Sequence, residues 1–337
     1  MVNSRKIDHI RIICKDPETD RNNHFFDDFQ LIHRAFPEIS FNDVDTSVDF
    51  LGKKLSLPLI ISSMTGGNND LIQKINRNLA IAAEETGVAM AVGSQRVMFS
   101  DHKSIKSFEL RKYAPNAVLI SNLGAVQFNY GFGLKEARKA VDVLEANALF
   151  LHLNPLQEII QPNGNTNFSN LSSSISVISS GIEVPIILKE VGCGLSPFDI
   201  ELGLKAGIKH FDIAGRGGTS WSRIESHRDK TCDTGIVFQD WGIPTPLALE
   251  MARPYCKKAK LIASGGIRNG IDILKSIVLG ASIGGMASPF LKPAMDSSES
   301  VISLIESIRK EFIISMFLLG IKCVKELHLN KDLLWHK

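Results

Sequence analysis

The chain has 337 residues, of which 38 are basic and 36 acidic, so its formal net charge is only +2. No run of five or six like charges occurs, which excludes a nucleic-acid-binding arm. Hydrophobic residues make up 44% and charged residues 22%, a globular mixture that is long enough for one large barrel or two average domains.

Residues 1–57 precede the first regular unit and are predicted to form an extension of a single domain whose barrel spans residues 58–337. Their beginning, MVNSRKIDHIRIICK, lacks the apolar core of a secretory signal. It carries a polar cluster made of Arg5, Lys6, Asp8, His9 and Arg11. Such a cluster could bind an anion, but a mobile, solvated tail is its commoner fate.

Eight short apolar runs follow, each leading into a longer amphipathic segment. In chain order they are LPLIISSMTGG, GVAMAVGSQ, AVLISNLGA, ALFLHLNPLQ, VPIILKEVGCG, KHFDIAGRGG, AKLIASGG and ASIGGMAS. Strand–helix repetition at this interval predicts parallel strands that close into a (β/α)8 TIM barrel. An open doubly wound sheet is the alternative, but it normally has a glycine fingerprint after its first strand, which SSMTGG lacks.

The segments between the runs have helical spacing. In NNDLIQKINRNLAIAAEETG the apolar positions Leu71, Ile75 and Leu79 recur near the helical period, and Gly87 is the predicted C-cap. Further predicted helices are GLKEARKAVDVLEAN, SPFDIELGLKAG, TPLALEMARPYC and NGIDILKSIVLG. The connection after the sixth run, residues 215–244, is long enough to predict a lid.

Near the C-terminus, FIISMFLLGI is the longest apolar stretch, and it is too short to cross a bilayer, which takes roughly 20 residues. We therefore expect a buried helix there. The five scattered cysteines, without metal-ligand spacing, favour a reducing cytoplasmic location over a disulfide framework. They are Cys14, Cys193, Cys232, Cys256 and Cys323.

Polar or small residues stand at the end of every run. They include Ser63, Thr65, Ser94, Gln95, Ser121, Asn122, His152, Asn154, Gln157, Glu158, Lys189, Glu190, Arg216, Thr219, Ser264 and Ser288. On a closed barrel these ends share one face, where the βα-loops build the active site. Serine, threonine and asparagine also serve as helix caps, whereas Lys189, Gln157 and Glu158 are not needed for capping.

Glycine pairs in SGGIRNG (264–270) and GGMAS (284–288) predict a phosphate site at the ends of the seventh and eighth strands. Tight turns also require glycine, but two pairs in these two loops favour a phosphate-bearing cofactor. Lys189 could balance the charge of an electron-rich ring, form a Schiff base, or pair with Glu190. The small hydrogen-bonding residues of the first three strands favour the first interpretation, with a flavin as the ring.

The segment HLNPLQEIIQPNG (152–164) brings a carboxylate, an amide and an imidazole to the fourth strand end. Glu158 suits Mg²⁺, which commonly takes one or two carboxylates plus substrate phosphate oxygens. It is equally well explained as a solvated residue in the first turn of a helix. Gln157 can donate hydrogen bonds, and His152 can donate or accept them.

Eight motifs resemble, in order, those of the type 2 isopentenyl-diphosphate delta-isomerases, an FMN-dependent (β/α)8 family. They are RKIDHI, SSMTGG, AVGSQR, SNLGA, HLNPLQE with QPNG, PIILKEVGCGLS, GRGGTSWSRIE and IASGGIRNGIDILKSIVLGAS. The resemblance implies interconversion of isopentenyl and dimethylallyl diphosphate in isoprenoid biosynthesis. It further implies FMN, reduced by NADPH, as the acid–base cofactor, Mg²⁺ on the diphosphate, and a homo-oligomer of four or eight subunits.

Residue roles follow from the resemblance by position. Arg5, Lys6 and His9 would bind the diphosphate. Gln157 would contact substrate and orient or relay a proton, and His152 is a second catalytic candidate with a chiefly structural or diphosphate-binding role. Glu158 would hold Mg²⁺. The residues implied to surround FMN are Ser63, Met64, Thr65, Ser94, Asn122, Lys189, Thr219, Gly265, Gly266, Ala287 and Ser288. Ser63 and Ser288 depart from the alanine and glycine common in relatives, which backbone contacts would tolerate.

Two other functions are compatible with a flavin barrel. The first is an FMN oxidoreductase of the hydroxy-acid or inosine-monophosphate dehydrogenase type, and the second is a non-catalytic flavin-binding barrel. A hydroxy-acid oxidoreductase needs a histidine near the seventh strand, whereas His227 lies in the long loop, together with the unassigned Arg216, Trp221 and Arg223. An inosine-monophosphate dehydrogenase needs a loop cysteine, and Cys232 has no supporting motif. A non-catalytic flavin-binding barrel is disfavoured by the intact substrate and metal residues.

Overall fold

Eight parallel strands close into a barrel, as the apolar runs predict. The computed structural model of the protein describes residues 2–21, 23, 25–229 and 233–336. Each strand pairs with the next along the chain, and the eighth pairs with the first. The strands are β1 (Leu59–Ile61), β2 (Ala89–Ala91), β3 (Leu119–Gly124), β4 (Ala148–His152), β5 (Ile186–Lys189), β6 (His210–Asp212), β7 (Lys260–Ser264) and β8 (Ile283–Met286). The predicted fold class is confirmed.

The predicted helices also occur between the strands. Gly87 ends the second helix with φ +69°, the left-handed conformation that a C-capping glycine adopts most easily. The helices are α1 (Val2–Lys15), α2 (Asp70–Thr86), α3 (Leu134–Leu144), α4 (Pro155–Ile160), α5 (Leu171–Gly181), α6 (Pro197–Lys205), α7 (Trp221–Ser226), α8 (Thr234–Val237), α9 (Thr245–Ala252), α10 (Gly270–Val278), α11 (Ser288–Asp296) and α12 (Ser298–Leu319).

Strand alternation sorts the barrel residues into two apolar layers. One buried cluster takes every second residue, such as Phe150, Ile187 and Ile262, and fills the barrel. The intervening residues, such as Leu151 and Leu188, pack outward against the helices. Because side chains alternate along a strand, the inward position above each interior residue falls at the C-terminal end of its strand. The side chains at those positions form the floor of the barrel mouth.

The N-terminal extension is ordered, so the expectation of a solvated tail is wrong. Helix α1 buries His9 and Ile10. A hairpin of strands Val48–Phe50 and Lys53–Leu55 adds Phe50 and Leu55 to the barrel-filling cluster. Strand Phe29–Leu31 pairs antiparallel with Leu334–His336 near the C-terminus. The extension is thereby attached to the barrel along most of its length.

The long connection and the apolar C-terminal stretch also take up helical structure. Within residues 215–244, helix α7 contacts α1, which places the connection over the barrel mouth. Helix α12 carries the first eight residues of the stretch FIISMFLLGI, ends at Leu319, and buries Phe312, Met316 and Leu319 against the barrel helices. Across the described ranges, none of the helices combines the length and the apolar character needed to cross a membrane.

Candidate active site

A large cavity lies at the C-terminal ends of the barrel strands, between the barrel and α1. The free space within it, counted out to its opening into solvent, is about 1280 Å³. It contacts all of the predicted site residues except Arg5 and Glu158. The predicted residues that line it are Lys6, His9, Ser63, Met64, Thr65, Ser94, Asn122, His152, Gln157, Lys189, Thr219, Gly265, Gly266, Ala287 and Ser288.

Lys189 forms a buried ion pair on the cavity floor. Its Nζ lies 2.8 Å from Asp212 Oδ2 and 3.4 Å from Ser264 Oγ. The predicted alternative, a pair with Glu190, is wrong, because the Glu190 carboxylate accepts backbone N–H groups of its own turn from Val191 through Gly194. An ion pair favours the charged ammonium, and a Schiff-base lysine must react as the neutral amine. The floor therefore presents a cation.

His152 lies on the same floor and belongs to a chain of hydrogen bonds. Its Nδ1 is 2.7 Å from Asn122 Oδ1, and Asn122 Nδ2 donates to Ser63 Oγ over 2.8 Å. Burial, followed by the charges of Lys6 and Lys189, lowers the pKa of His152 to about 3. The imidazole is therefore neutral at physiological pH, so it cannot serve as a cationic acid.

The glycine loop after β7 makes a narrow backbone cradle. Gly265 has φ +94°, and a Cβ on it would lie 2.1 Å from the carbonyl oxygen of Gly215. Helix α11 begins beside it at Ser288, whose hydroxyl donates to Asp20 Oδ2 over 3.0 Å. Arg268 Nη2 pairs with the other Asp20 oxygen at 2.5 Å. The backbone cradle and the helix N-terminus suit a phosphate group, whereas the charge of Arg268 is balanced by Asp20 in this arrangement.

Two hydroxyls of the cavity wall support the fit of a hydrogen-bonding ring. Ser62 Oγ and Thr65 Oγ1 are buried without a partner among the described residues, and both residues line the cavity. Buried hydroxyls normally have a partner, so these two favour a ligand that donates or accepts at that wall. Together with Lys189 and the glycine cradle, they match the heterocycle and the phosphate of FMN.

A fully buried carboxylate, Glu225 of α7, joins three elements above the cavity. His9 Nε2 of α1 lies 3.0 Å from its Oε1, and Gln157 Nε2 of α4 donates to the same oxygen over 2.9 Å. Arg228 pairs with its Oε2. Burial opposes ionisation, but the hydrogen bonds from His9 and Gln157 and the charge of Arg228 outweigh it and lower the pKa of Glu225 to about 2.

Glu158 lies behind the cavity wall and is only 5% exposed, so its interpretation as a solvated first-turn residue is wrong. Its carboxylate accepts hydrogen bonds from Asn154 Nδ2, Gln161 Nε2 and the backbone N–H of Asn165. A carboxylate offers about four lone-pair positions, which leaves one for a cation. No group of three or more potential metal ligands occurs among the described residues. A Mg²⁺ ion at Glu158 would therefore depend on water and on substrate oxygens.

Two cations of α1 face this region. Arg5 Nη1 donates to Gln161 Oε1 over 2.9 Å, which connects α1 to the Glu158 network. Lys6 lines the cavity, and the described part of the chain offers its ammonium no hydrogen bond or ion pair. Burial, followed by the nearby charge of Arg5, lowers the pKa of Lys6 to about 8. Helix α1 thus places at the cavity roof the ammonium group of Lys6, which has no hydrogen bond or ion pair among the described residues.

Comparison with known proteins places the chain in a family. The chain matches the FMN-dependent dehydrogenase family over residues 2–102 and 134–336. The isopentenyl-diphosphate delta-isomerase of Hydrogenovibrio crunogenus is 54% identical over 99% of this chain and 98% of that protein. The protein of the same name from Paracoccus zeaxanthinifaciens is 53% identical over 99% and 97%.

The chain belongs to the FMN-dependent, type 2 isopentenyl-diphosphate delta-isomerase family. A further relative of that name, from Sulfurisphaera tokodaii, is 40% identical and matches 97% of this chain and 90% of its own. The resemblance seen in the sequence motifs is confirmed.

Solved structures similar to this isomerase-family chain share its barrel. A flavocytochrome b2 variant with sulfite bound has a TM-score of 0.68 at 20% identity, covering 94% of this chain and 78% of the other. A mandelate oxidase variant with 2-hydroxy-phenylacetamide has a TM-score of 0.65 at 18% identity, covering 99% and 94%. At such identities the similarity shows the fold alone.

In the described part of the long loop, the histidine that a hydroxy-acid oxidoreductase would need lies away from the cavity of this family member. His227 Nε2 lies 2.7 Å from Asp16 and does not line the cavity, and Cys232 lies outside the described residues. Of the loop residues left unassigned by sequence, Arg223 also pairs with Asp16, at 2.6 Å. Of Arg216, Trp221 and Arg223, Trp221 lines the cavity, and its ring packs edge-on against His9 with centroids 5.2 Å apart.

Several residues of this isomerase-family site were missed in the sequence. Glu225, Asp212, Gln161 and Arg268 hold the predicted residues in place. Asp212 could have been found from strand alternation, because it stands one position after Phe211 and therefore faces inward like Lys189. Arg268 is part of the glycine motif SGGIRNG. Glu225 ends the motif GRGGTSWSRIE and Gln161 begins QPNG, but these letters do not show what the two side chains bind, because their partners are not neighbours in the motif.

Proposed function

We propose that this chain interconverts isopentenyl diphosphate and dimethylallyl diphosphate. The observation that carries the proposal is a cavity with two chemically different sides, in a chain of the isomerase family. The floor and the glycine cradle suit a flavin, and the roof formed by α1 brings Lys6 and His9 over it. A substrate between them would have its diphosphate at the roof and its five-carbon chain at the flavin.

FMN would lie on the floor formed by the strand ends. Ser62, Thr65 and Asn122 offer hydrogen bonds to the heterocycle, Lys189 supplies a positive charge, and Gly265 allows the phosphate to approach the backbone. The remaining predicted contacts are Ser63, Met64, Ser94, Thr219, Gly266, Ala287 and Ser288. Bound FMN, once reduced by NADPH, would supply the acid–base edge that the double-bond shift needs.

The substrate diphosphate would meet Arg5, Lys6 and His9, with Mg²⁺ held at Glu158. His9 has a lowered pKa because of burial, although Glu225 favours its charged form. Its Nδ1 is buried without a partner among the described atoms. A diphosphate oxygen at that nitrogen would favour protonation of His9. Binding of the diphosphate and protonation of His9 would thus be coupled.

Gln157 would orient the substrate as a hydrogen-bond donor. Its Nε2 donates one hydrogen to Glu225, and its Oε1 accepts from Asn154 Nδ2 over 3.0 Å. An ionised carboxylate only accepts, which fixes the amide orientation. The second hydrogen of Nε2 is available to the substrate. Neutral His152 would keep Asn122 and the cavity floor in place.

A direct assay tests the proposal. We expect the purified protein to bind FMN with a flavin spectrum and to convert isopentenyl diphosphate to dimethylallyl diphosphate, followed by proton NMR. Conversion should require a reductant such as NADPH and should stop on addition of a chelator, with recovery on excess Mg²⁺. Conversion without flavin, or flavin reduction by a 2-hydroxy acid with no isomerisation, would contradict the proposal.

Lys6→Met is expected to raise KM for the diphosphate substrate by about 10- to 100-fold, since a lost charge-assisted contact costs roughly 1.5–3 kcal/mol. The lowered pKa of Lys6 means that its charge is lost as pH rises through about 8. The wild-type kcat/KM should therefore fall above that pH, and Lys6→Arg should flatten this limb. Arg11→Met, on the exposed face of α1 with a side chain 70% exposed, is the control and should change neither value. An unchanged KM in Lys6→Met would remove Lys6 from the substrate site.

We also propose a cytoplasmic homo-oligomer of four or eight copies. Adjacent helices α6 and α9 expose apolar pairs spaced one turn apart, Phe198 with Leu202 and Leu247 with Met251. A contiguous apolar surface of this kind favours association. Light scattering after gel filtration would give the number of subunits.

A further inference from the structure

Three consecutive strands build one buried polar cluster on the cavity floor. Lys189 ends β5, Asp212 ends β6 and Ser264 ends β7. Lys189 and Asp212 are direct neighbours in the strand register. By strand alternation all three point into the barrel, one layer above Ile187 and Ile262. Lys189 Nζ also lies 5.6 Å from the centroid of the Phe150 ring beneath it.

The carboxylate of Asp212 is fully buried, and each of its two oxygens binds a member of this cluster. Its Oδ2 receives Lys189 Nζ at 2.8 Å, and its Oδ1 accepts the Ser264 hydroxyl at 2.6 Å. A buried ion pair loses hydration energy of several kcal/mol per ion, and apolar residues in its place are often as stable or more so. Stability therefore does not explain an aspartate above an otherwise apolar barrel interior. The effect of the carboxylate on Lys189 explains the presence of Asp212 at this position.

We propose that Asp212 is a positioning residue that sets, through Lys189, the positive field at the cofactor side of the cavity and thereby the reduction potential of bound FMN. The inference rests on the proposed function, because it takes the ligand of this floor to be FMN. The Lys189–Asp212 ion pair is a dipole whose positive end faces the cavity. The field at the ring is then weaker than that of a free lysine but fixed in direction.

Asp212→Asn is the informative substitution, because asparagine keeps the shape and can still accept from Ser264. Removing the negative charge strengthens the field of Lys189, which favours the reduced, more negative ring. We expect reduced FMN to bind about tenfold more tightly relative to oxidised FMN, which raises the two-electron midpoint potential by roughly 30 mV. The potential is measured at neutral pH on the FMN-loaded protein by equilibration with reference dyes.

The same substitution made in a Lys189→Met protein tests whether Asp212 acts through Lys189. In Lys189→Met there is no ammonium whose field Asp212 could weaken, so Asp212→Asn should then leave the potential unchanged. An equal shift in both backgrounds would mean that Asp212 acts directly on the ring and would overturn the inference. Asp199→Asn, which removes a carboxylate that caps α6 through Ser196, is the control and should not shift the potential.

The outcomes separate the inference from the proposed function. A protein that binds no FMN would refute the function. A variant Asp212→Asn that binds FMN with an unchanged or lowered potential would refute only the role of Asp212. If Asp212→Asn does not fold, the double variant Asp212→Asn, Lys189→Met should restore folding, because it removes the unpaired buried cation as well. If the double variant folds, the midpoint potential of its bound FMN should equal that of Lys189→Met, and a difference would overturn the inference.

Discussion

Glu225→Gln is expected to lower kcat/KM for isopentenyl diphosphate by about 100-fold or more. The carboxylate accepts from His9, Gln157 and Arg228 at once. A neutral amide leaves the half-buried Arg228 without its counter-ion and lets the Gln157 amide turn over. A 100-fold loss corresponds to about 2.7 kcal/mol of transition-state stabilisation, at roughly 1.4 kcal/mol for each factor of ten.

The same variant should change the acid stability. Because the pKa of Glu225 is about 2 instead of the usual 4.5, its ionised form stabilises the fold above about pH 4.5. That contribution, on the order of 3 kcal/mol, is lost as pH falls toward 2. The unfolding free energy of Glu225→Gln, measured by urea titration, should vary less with pH over this range.

Glu201→Gln is the matched control for both measurements, since Glu201 lies on the outer helix α6 and accepts only from the Tyr255 hydroxyl in the described structure. It should retain wild-type kinetics and acid stability. If Glu225→Gln kept wild-type kcat/KM while folded, the carboxylate would not be what holds the roof and Gln157 in a productive arrangement.

Gly265→Ala is expected to abolish FMN binding and to destabilise the fold. The added Cβ would meet the Gly215 carbonyl oxygen at 2.1 Å, and φ is +94°. The left-handed conformation alone costs roughly 1–2 kcal/mol with a side chain. The clash requires the β6 and β7 loops to separate, which opens the phosphate cradle. We expect a loss of unfolding free energy of about 3 kcal/mol or more and no flavin spectrum after FMN titration.

Gly131→Ala separates strain from clash, because Gly131 has a similar φ of +90° and nothing within 4 Å of the added Cβ. It should lose only the roughly 1–2 kcal/mol of backbone strain and bind FMN normally. Equal destabilisation by the two alanines, with FMN still bound to Gly265→Ala, would show that the cradle is not formed by close backbone approach at Gly265.

The barrel could be predicted from the sequence because its determinants are local. Each strand is an apolar run, each helix has its own period and cap, and the polar residues at the strand ends lie on one face once the barrel closes. Lys189 and Asn122 could be assigned to the mouth for that reason. The same logic, applied to alternation within β6, would have identified Asp212.

The rest of the site depends on contacts between residues far apart in the chain. The order of α1 comes from the burial of His9 and Ile10 against the barrel, and the RKIDHI letters do not reveal their partners. Glu225 meets His9 216 positions away, and Asp20 meets Arg268 248 positions away. No local propensity encodes such pairs. They follow only when the long connection and the extension fold over the mouth.

The position of α1 over the mouth has a kinetic consequence. The flavin cradle lies at the bottom of the cavity, and Lys6 and His9 close it from above. With FMN on the floor and the diphosphate beneath the helix, FMN would lie behind the substrate on its way out. In the proposed arrangement FMN would therefore load first and the diphosphate second, and departure would follow the reverse order. A long residence time of the cofactor is built into the architecture, independently of how strongly any single contact holds it.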